Sequence, residues 1–139
     1  MWRQDNVAKS QLGIPSLFMS CIRLEEVKSQ LEVEMDQWDI GTRECLHTLT
    51  GHTKGVTCVV YSSKGHQVVS GSADMTTRLW DVTSGQCRSV VKGINSALQS
   101  IAWSTTSDAS DVNCFVAGYG DGNVRMWQVV ENGDACHVR

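Results

Sequence analysis

Short apolar runs separated by polar or glycine-containing turns dominate the chain after residue 55. Runs of this length, rich in β-branched and aromatic residues, are typical of β-strands. They are VTCVVYS (56–62), HQVVSGS (66–72), TTRLWDV (76–82), LQSIAWS (98–104) and CFVAGYG (114–120). In the third run polar and apolar residues alternate for part of the way, as in a strand with one buried face. The pattern therefore predicts short antiparallel strands joined by tight turns.

The chain also repeats itself. A shift of 42 residues aligns residues 38–62 with residues 80–104 without a gap, so that Trp38 meets Trp80. A shift of 47 residues aligns SGSADMTTRLWD (70–81) with AGYGDGNVRMWQ (117–128). The five additional residues fall in the polar stretch 105–113, which reads as a lengthened loop. A period near 42 built from β-type segments indicates blades of a β-propeller rather than a helical solenoid.

Residues 1–35 fall outside this repeat. Between residues 20 and 35 apolar side chains recur at helical spacing, and Ser20 is placed to cap the first turn; the apolar positions are Leu24, Val27, Leu31 and Met35. This spacing predicts an amphipathic helix of about four turns. Two interpretations are open. One is a helix that folds back on an exposed sheet edge, which we favour; the other is a coiled-coil or docking helix.

The predicted architecture is all-β, an incomplete β-propeller preceded by an N-terminal helical segment. Its units are the N-terminal segment 1–35, a blade fragment 36–45, a complete blade at about 46–82 and a divergent blade at about 83–139. Closed propellers contain roughly 4–8 blades, so two four-stranded blades and part of a third cannot close a ring. Uncovered sheet edges favour pairing with other chains. We therefore expect a fragment of a longer propeller, or a ring completed by self-association.

The residues within the repeat match a known pattern. At the expected positions stand Gly51-His52, Ser70-Gly71-Ser72, Asp74, Thr76, Arg78 and Leu79-Trp80-Asp81. The chain thus resembles WD40-repeat proteins from about residue 36 to residue 139. More narrowly, SGQC, SIAW and VRMWQVVENGD resemble the last blades of large fungal WD40 proteins, some of which carry an upstream NACHT-type NTPase. The sequence contains no phosphate-binding GxxxxGK[ST] motif, so such an NTPase would lie outside it.

The resemblance implies a hydrogen-bonded tetrad of four side chains, His52, Ser70, Asp74 and Trp80. Trp80 would donate its indole N–H to Ser70, Ser70 would contact His52, and Asp74 would hold His52. Buried groups of these types need partners, because each unsatisfied group costs about 1–3 kcal/mol. The alternative is a catalytic triad, but a mid-strand serine beside a tryptophan lacks a nucleophile elbow and an evident oxyanion hole. We therefore expect a structural role and no catalytic residues.

The second blade departs from this pattern. Ile94 stands where the histidine belongs and Ala117 where the serine belongs, while Asp121 and Trp127 remain. This blade cannot form the tetrad, and we predict that it is the less rigid of the two.

Composition and charge give no support for binding to nucleic acid, membranes, metals or cofactors. Hydrophobic residues make up 41% and charged residues 19% of the 139 residues, so the chain can bury a core. A formal net charge of −3 favours neither nucleic acid nor a membrane surface. No apolar stretch approaches the roughly 18 residues of a spanning helix. The six cysteines include no CxxC pair, and no clustered ligands predict a metal or cofactor.

We therefore expect a non-catalytic scaffold that binds protein partners through its loops. The candidate contact residues are Thr53, Lys54, Arg78, Asn95 and Arg125. The alternative is a regulatory or sensor tail of a NACHT-type signalling NTPase. The cysteines read as small buried residues of a reducing compartment, which favours the cytoplasm without excluding the nucleus.

Overall fold

The computed structural model describes residues 8–9, 20–25, 33–39, 41–92, 95–104, 113–130 and 135–138. These residues form three four-stranded antiparallel sheets. Sheet 1 consists of β1 (Ala8–Lys9), β2 (Ser20–Glu25), β3 (Val33–Asp39) and β4 (Cys45–His52). Sheet 2 consists of β5 (Val56–Tyr61), β6 (Gln67–Ser72), β7 (Thr77–Asp81) and β8 (Cys87–Val91). Sheet 3 consists of β9 (Leu98–Trp103), β10 (Cys114–Tyr119), β11 (Val124–Val129) and β12 (Ala135–Val138). The predicted all-β fold of antiparallel sheets is confirmed.

Each sheet runs in chain order from one edge strand to the other. The first strands of the sheets lie side by side, since β1 contacts β5 and β5 contacts β9. After its fourth strand the chain crosses to the first strand of the next sheet. Consecutive blades of a β-propeller have this arrangement.

The helix predicted over residues 20–35 is wrong for the described residues, which form strands at Ser20–Glu25 and from Val33 onward. Residues 26–32 lie outside the described part. β2 pairs with β3 along its length, with Leu24 opposite Met35, and β3 pairs in turn with β4. These ladders satisfy the backbone groups of the segment, and tertiary pairing of this kind outweighs a weak local helical preference. The segment before residue 36 therefore supplies strands to a sheet.

The sheets are also displaced by one strand from the predicted units. The unit predicted at 46–82 contains most of β4, which completes sheet 1 rather than sheet 2. The unit predicted at 83–139 likewise contains β8, which completes sheet 2. The predicted fragment 36–45 belongs to a sheet whose strands begin at Ala8. Each sequence repeat therefore spans two sheets and ties them together.

The side chains of sheet 2 alternate between its faces and so build two cores. The first core lies between sheets 1 and 2, and its buried members are Met35, Leu49, Val56, Tyr61, Val68 and Trp80. The second core lies between sheets 2 and 3, and its buried members include Val69, Leu79, Leu98, Trp103, Phe115, Ala117 and Trp127. Trp103 stacks on Phe115 with ring centroids 5.8 Å apart. Burying each large apolar side chain contributes about 1.5–3 kcal/mol, so these contacts hold the sheets together.

One glycine permits the close packing of sheets 2 and 3. A Cβ atom at Gly71 of β6 would lie only 1.8 Å from Cδ2 of Leu98 in β9. Leu98 therefore rests on bare backbone, and any larger residue at position 71 would force the two sheets apart.

Among the described residues, no helix is long and apolar enough to cross a membrane.

Candidate functional site: the His52 network and the rim loops

His52 links sheet 1 to sheet 2. It ends β4, but its imidazole lies against β6, where Nε2 is 2.8 Å from Oγ of Ser70. Its other nitrogen, Nδ1, is 2.9 Å from Oδ2 of Asp74 in the β6–β7 turn. Trp80 on β7 donates its indole N–H to Ser70 Oγ over 2.8 Å. The structure thus brings together the four side chains of the expected tetrad, and the imidazole, the hydroxyl and the indole are almost completely buried.

The direction of each hydrogen bond follows from the chemistry of the groups. A carboxylate can only accept, so Nδ1 of His52 carries the proton that is donated to Asp74. Nε2 then accepts from the Ser70 hydroxyl, and the oxygen of Ser70 accepts from Trp80. Each buried polar atom in the hydrogen-bonded series from the Trp80 indole to the Asp74 carboxylate has a partner, and this fixes the orientation of the histidine.

Asp74 is the anchor of the network. Burial works to raise the pKa of this carboxyl, but hydrogen bonds from Thr76, the Thr53 backbone and His52 outweigh it and lower the pKa to about 2. The Thr76 hydroxyl donates to Oδ1 at 2.6 Å and the Thr53 amide donates to Oδ2 at 3.0 Å. Asp74 is therefore ionised at neutral pH and draws the loop after β4 onto the β6–β7 turn.

Burial lowers the pKa of His52, and the nearby positive charge of Arg78 acts in the same direction. The hydrogen bond and the charge of Asp74 oppose these effects without cancelling them. The neutral imidazole is thus the form that the fold prefers. It is also the form that lets Nε2 accept from Ser70.

The Ser70 hydroxyl is poorly placed to act as a nucleophile. It is completely buried in the middle of β6, donates to His52 and accepts from Trp80. A substrate would have to displace the first core to reach it. The arrangement braces the junction between two sheets.

Sheet 3 carries a different arrangement at the equivalent positions. Ala117 is buried and has no hydroxyl, so it cannot relay a hydrogen bond as Ser70 does. Asp121 accepts from the backbone and the side chain of Asn123 within its own turn, at 3.0 and 2.9 Å. Trp127 remains buried in the second core. Ile94 lies outside the described residues.

Four loops form a continuous rim at one end of sheets 2 and 3. We call residues 53–55, 73–76, 95–97 and 120–123 the rim. The first two loops are joined where the amide of Ala73 donates to the carbonyl of Gly55 at 3.0 Å. The last two are joined where the amide of Gly120 donates to the carbonyl of Ala97 at 3.0 Å. Thr57, just after the first loop, donates to the carbonyl of Leu98, just after the third. Backbone hydrogen bonds thus join the rim loops within each sheet, and the Thr57 hydroxyl joins the two sheets.

The structure divides the predicted contact residues into two groups. Thr53, Lys54 and Asn95 lie on the rim and are exposed. Arg78 and Arg125 lie within strands and are only half exposed. The guanidinium carbon of Arg78 is 5.9 Å from the Trp80 ring, and that of Arg125 is 5.9 Å from the Tyr119 ring. The two arginines therefore pack on aromatic rings of their own sheets.

Sequence reasoning missed Met75, an apolar residue on the rim. Its side chain is 46% exposed, and its backbone has a φ of 65°, in the left-handed region that disfavours residues with a Cβ. The shift of 47 residues that aligns the two repeats places Gly122, with a φ of 84°, at the same position. The alignment of Met75 with a glycine is therefore the sequence signal that could have identified this backbone position.

The described residues contain no group of three or more His, Cys, Asp or Glu side chains placed to hold a metal ion.

Comparison with known proteins agrees with this geometry. The family described as "WD domain, G-beta repeat" matches residues 43–81 and 85–128. The human pre-mRNA-processing factor 17 is 28% identical over 100 residues, which are 71% of this chain and 17% of that protein. Autophagy-related protein 16 of Arabidopsis thaliana is 36% identical over 97 residues, 66% of this chain and 17% of that protein. An uncharacterised WD repeat-containing protein of Schizosaccharomyces pombe is 25% identical over 125 residues, 83% of this chain and 33% of that protein. The chain thus spans a third or less of the length of these relatives.

Proposed function

Because the chain belongs to the WD40 repeat family, we propose that it is a non-catalytic scaffold that binds a protein partner through its rim. The observation that carries this proposal is the hydrogen-bonded support beneath the rim. Asp74 holds both the His52 imidazole and the amide of Thr53, so the loop that carries Lys54 is fixed to the β6–β7 turn. Loops held on a rigid sheet lose little conformational entropy on binding, which favours recognition.

Met75 supports this location of the contact surface. A residue with a Cβ in the left-handed region costs about 1–2 kcal/mol, and a large apolar side chain in water gains nothing that offsets it. Methionine is enriched at protein interfaces, where its flexible side chain adapts to the partner surface. We therefore propose Met75 as the apolar contact of the rim, with Thr53, Lys54 and Asn95 as its polar surroundings. Arg78 and Arg125 stabilise the sheets in this proposal and do not contact the partner.

The relatives do not identify the partner. Their names place one in pre-mRNA processing and another in autophagy, and this chain covers only 17% of either protein. The proposal is therefore limited to a protein ligand of unspecified identity. The regulatory-tail function and the cytoplasmic location stay predictions, because no described residue bears on them.

The proposal is tested by quantitative affinity capture from cell extract with the full chain as bait. Met75→Glu and Lys54→Glu alter the rim, whereas Ser63→Glu alters an exposed turn at the opposite end of sheet 2. We expect the two rim variants to lose a shared set of bound proteins that the wild type and the Ser63 variant retain. Equal capture by all four proteins, at unchanged melting temperature, would contradict a binding site at the rim.

A further inference from the structure

The outward face of sheet 3 carries exposed apolar side chains. Ala102, Val116 and Met126 lie opposite one another on β9, β10 and β11, and Val124 follows two residues before Met126. Val116 is 37%, Met126 42% and Val124 70% exposed. Isolated exposed apolar residues are ordinary, but a row across three adjacent strands is typical of a face that another element covers.

The same positions in sheet 2 are covered. The shift of 47 residues aligns Val69 with Val116 and Leu79 with Met126. Val69 and Leu79 are buried in the second core, where sheet 3 packs on this face of sheet 2. Sheet 3 therefore turns outward the face that sheet 2 uses to hold the next sheet.

Sheet 3 also has a glycine at the position where Gly71 permits close packing in sheet 2. Gly118 is the equivalent of Gly71, on which Leu98 rests. Among the described residues, a Cβ atom at Gly118 would meet only the Ser100 hydroxyl of the same sheet, at 2.8 Å. The outward face thus has the shape that receives an apolar side chain from a following sheet.

The outward face of sheet 1 has complementary features. The shift of 42 residues aligns Trp38 with Trp80, which faces the preceding sheet in the first core. The indole N–H of Trp38 is buried and, among the described residues, has no hydrogen-bond acceptor. Leu46, in the register shift opposite Trp38, is 45% exposed. Sheet 2 packs on sheet 1, and sheet 3 packs on sheet 2, through the face that contains this tryptophan position. In sheet 1 the equivalent face points outward.

We propose that a second copy of this chain docks on the outward face of sheet 3 with the outward face of its own sheet 1. This contact continues the packing already used twice within the chain, between sheets 1 and 2 and between sheets 2 and 3. Because the two faces differ, two copies form two such contacts related by a twofold axis. Three sheets from each copy then close a ring of six, within the roughly 4–8 blades of known propellers.

Light scattering on the purified full chain tests the proposal. We expect a mass about twice the 15.3 kDa of one chain. Met126→Glu on sheet 3 and Leu46→Glu on sheet 1 should each raise the self-dissociation constant by at least about tenfold, since a buried unpaired carboxylate opposes docking. Ser63→Glu, in an exposed turn that belongs to neither face nor to the rim, should leave the mass unchanged.

A mixture of the two variants adds a sharper test. The Met126 variant keeps an intact sheet 1 face and the Leu46 variant keeps an intact sheet 3 face, so mixing them should restore part of the association. If Met126→Glu does not fold by circular dichroism, Val124→Lys at the more exposed neighbouring position replaces it. A wild-type monomer that melts cooperatively would overturn the proposal. Filaments, or a dimer that Leu46→Glu leaves intact, would overturn the closed head-to-tail ring. None of these outcomes involves the rim, so they are distinct from a failure of the proposed function.

Discussion

Ser70 on β6 accepts the indole N–H of Trp80 on β7 across 2.8 Å, in the core between two sheets. The same oxygen is 2.8 Å from His52 Nε2, so one hydroxyl serves two buried partners from two other strands. Removing it would leave an indole donor and an imidazole acceptor without partners in a place that water cannot reach.

We predict that Ser70→Ala lowers the free energy of unfolding by about 1–3 kcal/mol, the cost of leaving buried polar groups unsatisfied. Urea denaturation followed by tryptophan fluorescence measures the change. Ser63→Ala, in an exposed turn, is the matched control and should change stability by no more than about 0.5 kcal/mol. Equal stabilities of the two variants would show that the tetrad contributes little.

Stability should also fall as the pH decreases below neutral. Burial lowers the pKa of His52 below its ordinary value of 6.5, so the unfolded chain takes up this proton at a higher pH than the folded chain. The stability that His52 contributes is complete above about pH 6.5 and is lost as the pH falls towards its folded pKa. Asp74, with a pKa of about 2 against an ordinary 3.8, adds a second loss between those two values.

Denaturant midpoints measured between pH 8 and pH 5 check the first of these losses. In His52→Gln the decrease over this range should be smaller than in the wild type, because the group that titrates is gone. A wild-type midpoint that does not change between pH 8 and pH 5 would refute the assignment of a neutral, buried His52.

Gln37→Leu should stabilise the protein. Gln37 is 1% exposed, and among the described residues neither its amide nitrogen nor its amide oxygen has a hydrogen-bond partner. The shift of 42 residues places buried Leu79 at the same position in sheet 2. We expect a gain of about 1–3 kcal/mol from removing the two unsatisfied groups. Thermal and urea unfolding measure it, and Gln86→Leu at an exposed turn should give no comparable gain.

Sheet 3 should exchange its amide hydrogens faster than sheet 2. Ala117 offers no hydroxyl to Trp127, and Asp121 binds its own turn, so the β10–β11 pair lacks the hydrogen-bonded brace of β6 and β7. Hydrogen–deuterium exchange with peptides covering 67–81 and 114–129 makes the comparison. Greater protection of the second peptide would contradict the expectation that the divergent blade is the less rigid.

Met75→Gly should raise stability while weakening partner capture. Glycine adopts the φ of 65° without steric cost, so we expect a gain of about 1 kcal/mol. Ala73→Gly in the same turn, where the backbone is not left-handed, should instead lose about 0.5–1 kcal/mol. Loss of stability in both variants would refute the strain assigned to Met75.

The sequence predicted the regular repeats better than the segment before them. The strands between Val56 and Tyr119 were readable because an aligned copy supported each run of β-branched and aromatic residues. In β3 that support was missing: polar Gln37 occupies a core position next to Met35 and hides the two-residue period of a strand. The remaining apolar residues then fitted a helical spacing. Pairing with β2 on one side and β4 on the other depends on partners in neighbouring strands, which the periodicity of a single segment does not register.

The residues of the candidate site were likewise only partly predictable from the sequence. His52, Ser70, Asp74 and Trp80 could be named because their side-chain chemistry marks them in the sequence. Met75 could not, since its importance comes from a backbone angle that its side chain does not reveal. Arg78 and Arg125 were named as contact candidates on strands, but the sequence did not reveal that each packs on an aromatic ring of its own sheet. Their role as contacts stays a prediction.

The one-strand offset between repeat and sheet constrains how such a gene can be cut or duplicated. A junction after residue 82 would separate β8 from β7 and expose a row of backbone donors and acceptors. A junction within 53–55 would spare the ladders but detach His52 from Ser70. Each duplicated repeat thus supplies the fourth strand of the preceding sheet and the first three strands of the following sheet. Arrays of this kind gain or lose whole internal repeats without exposing a strand edge, whereas a chain that stops at a repeat boundary exposes one.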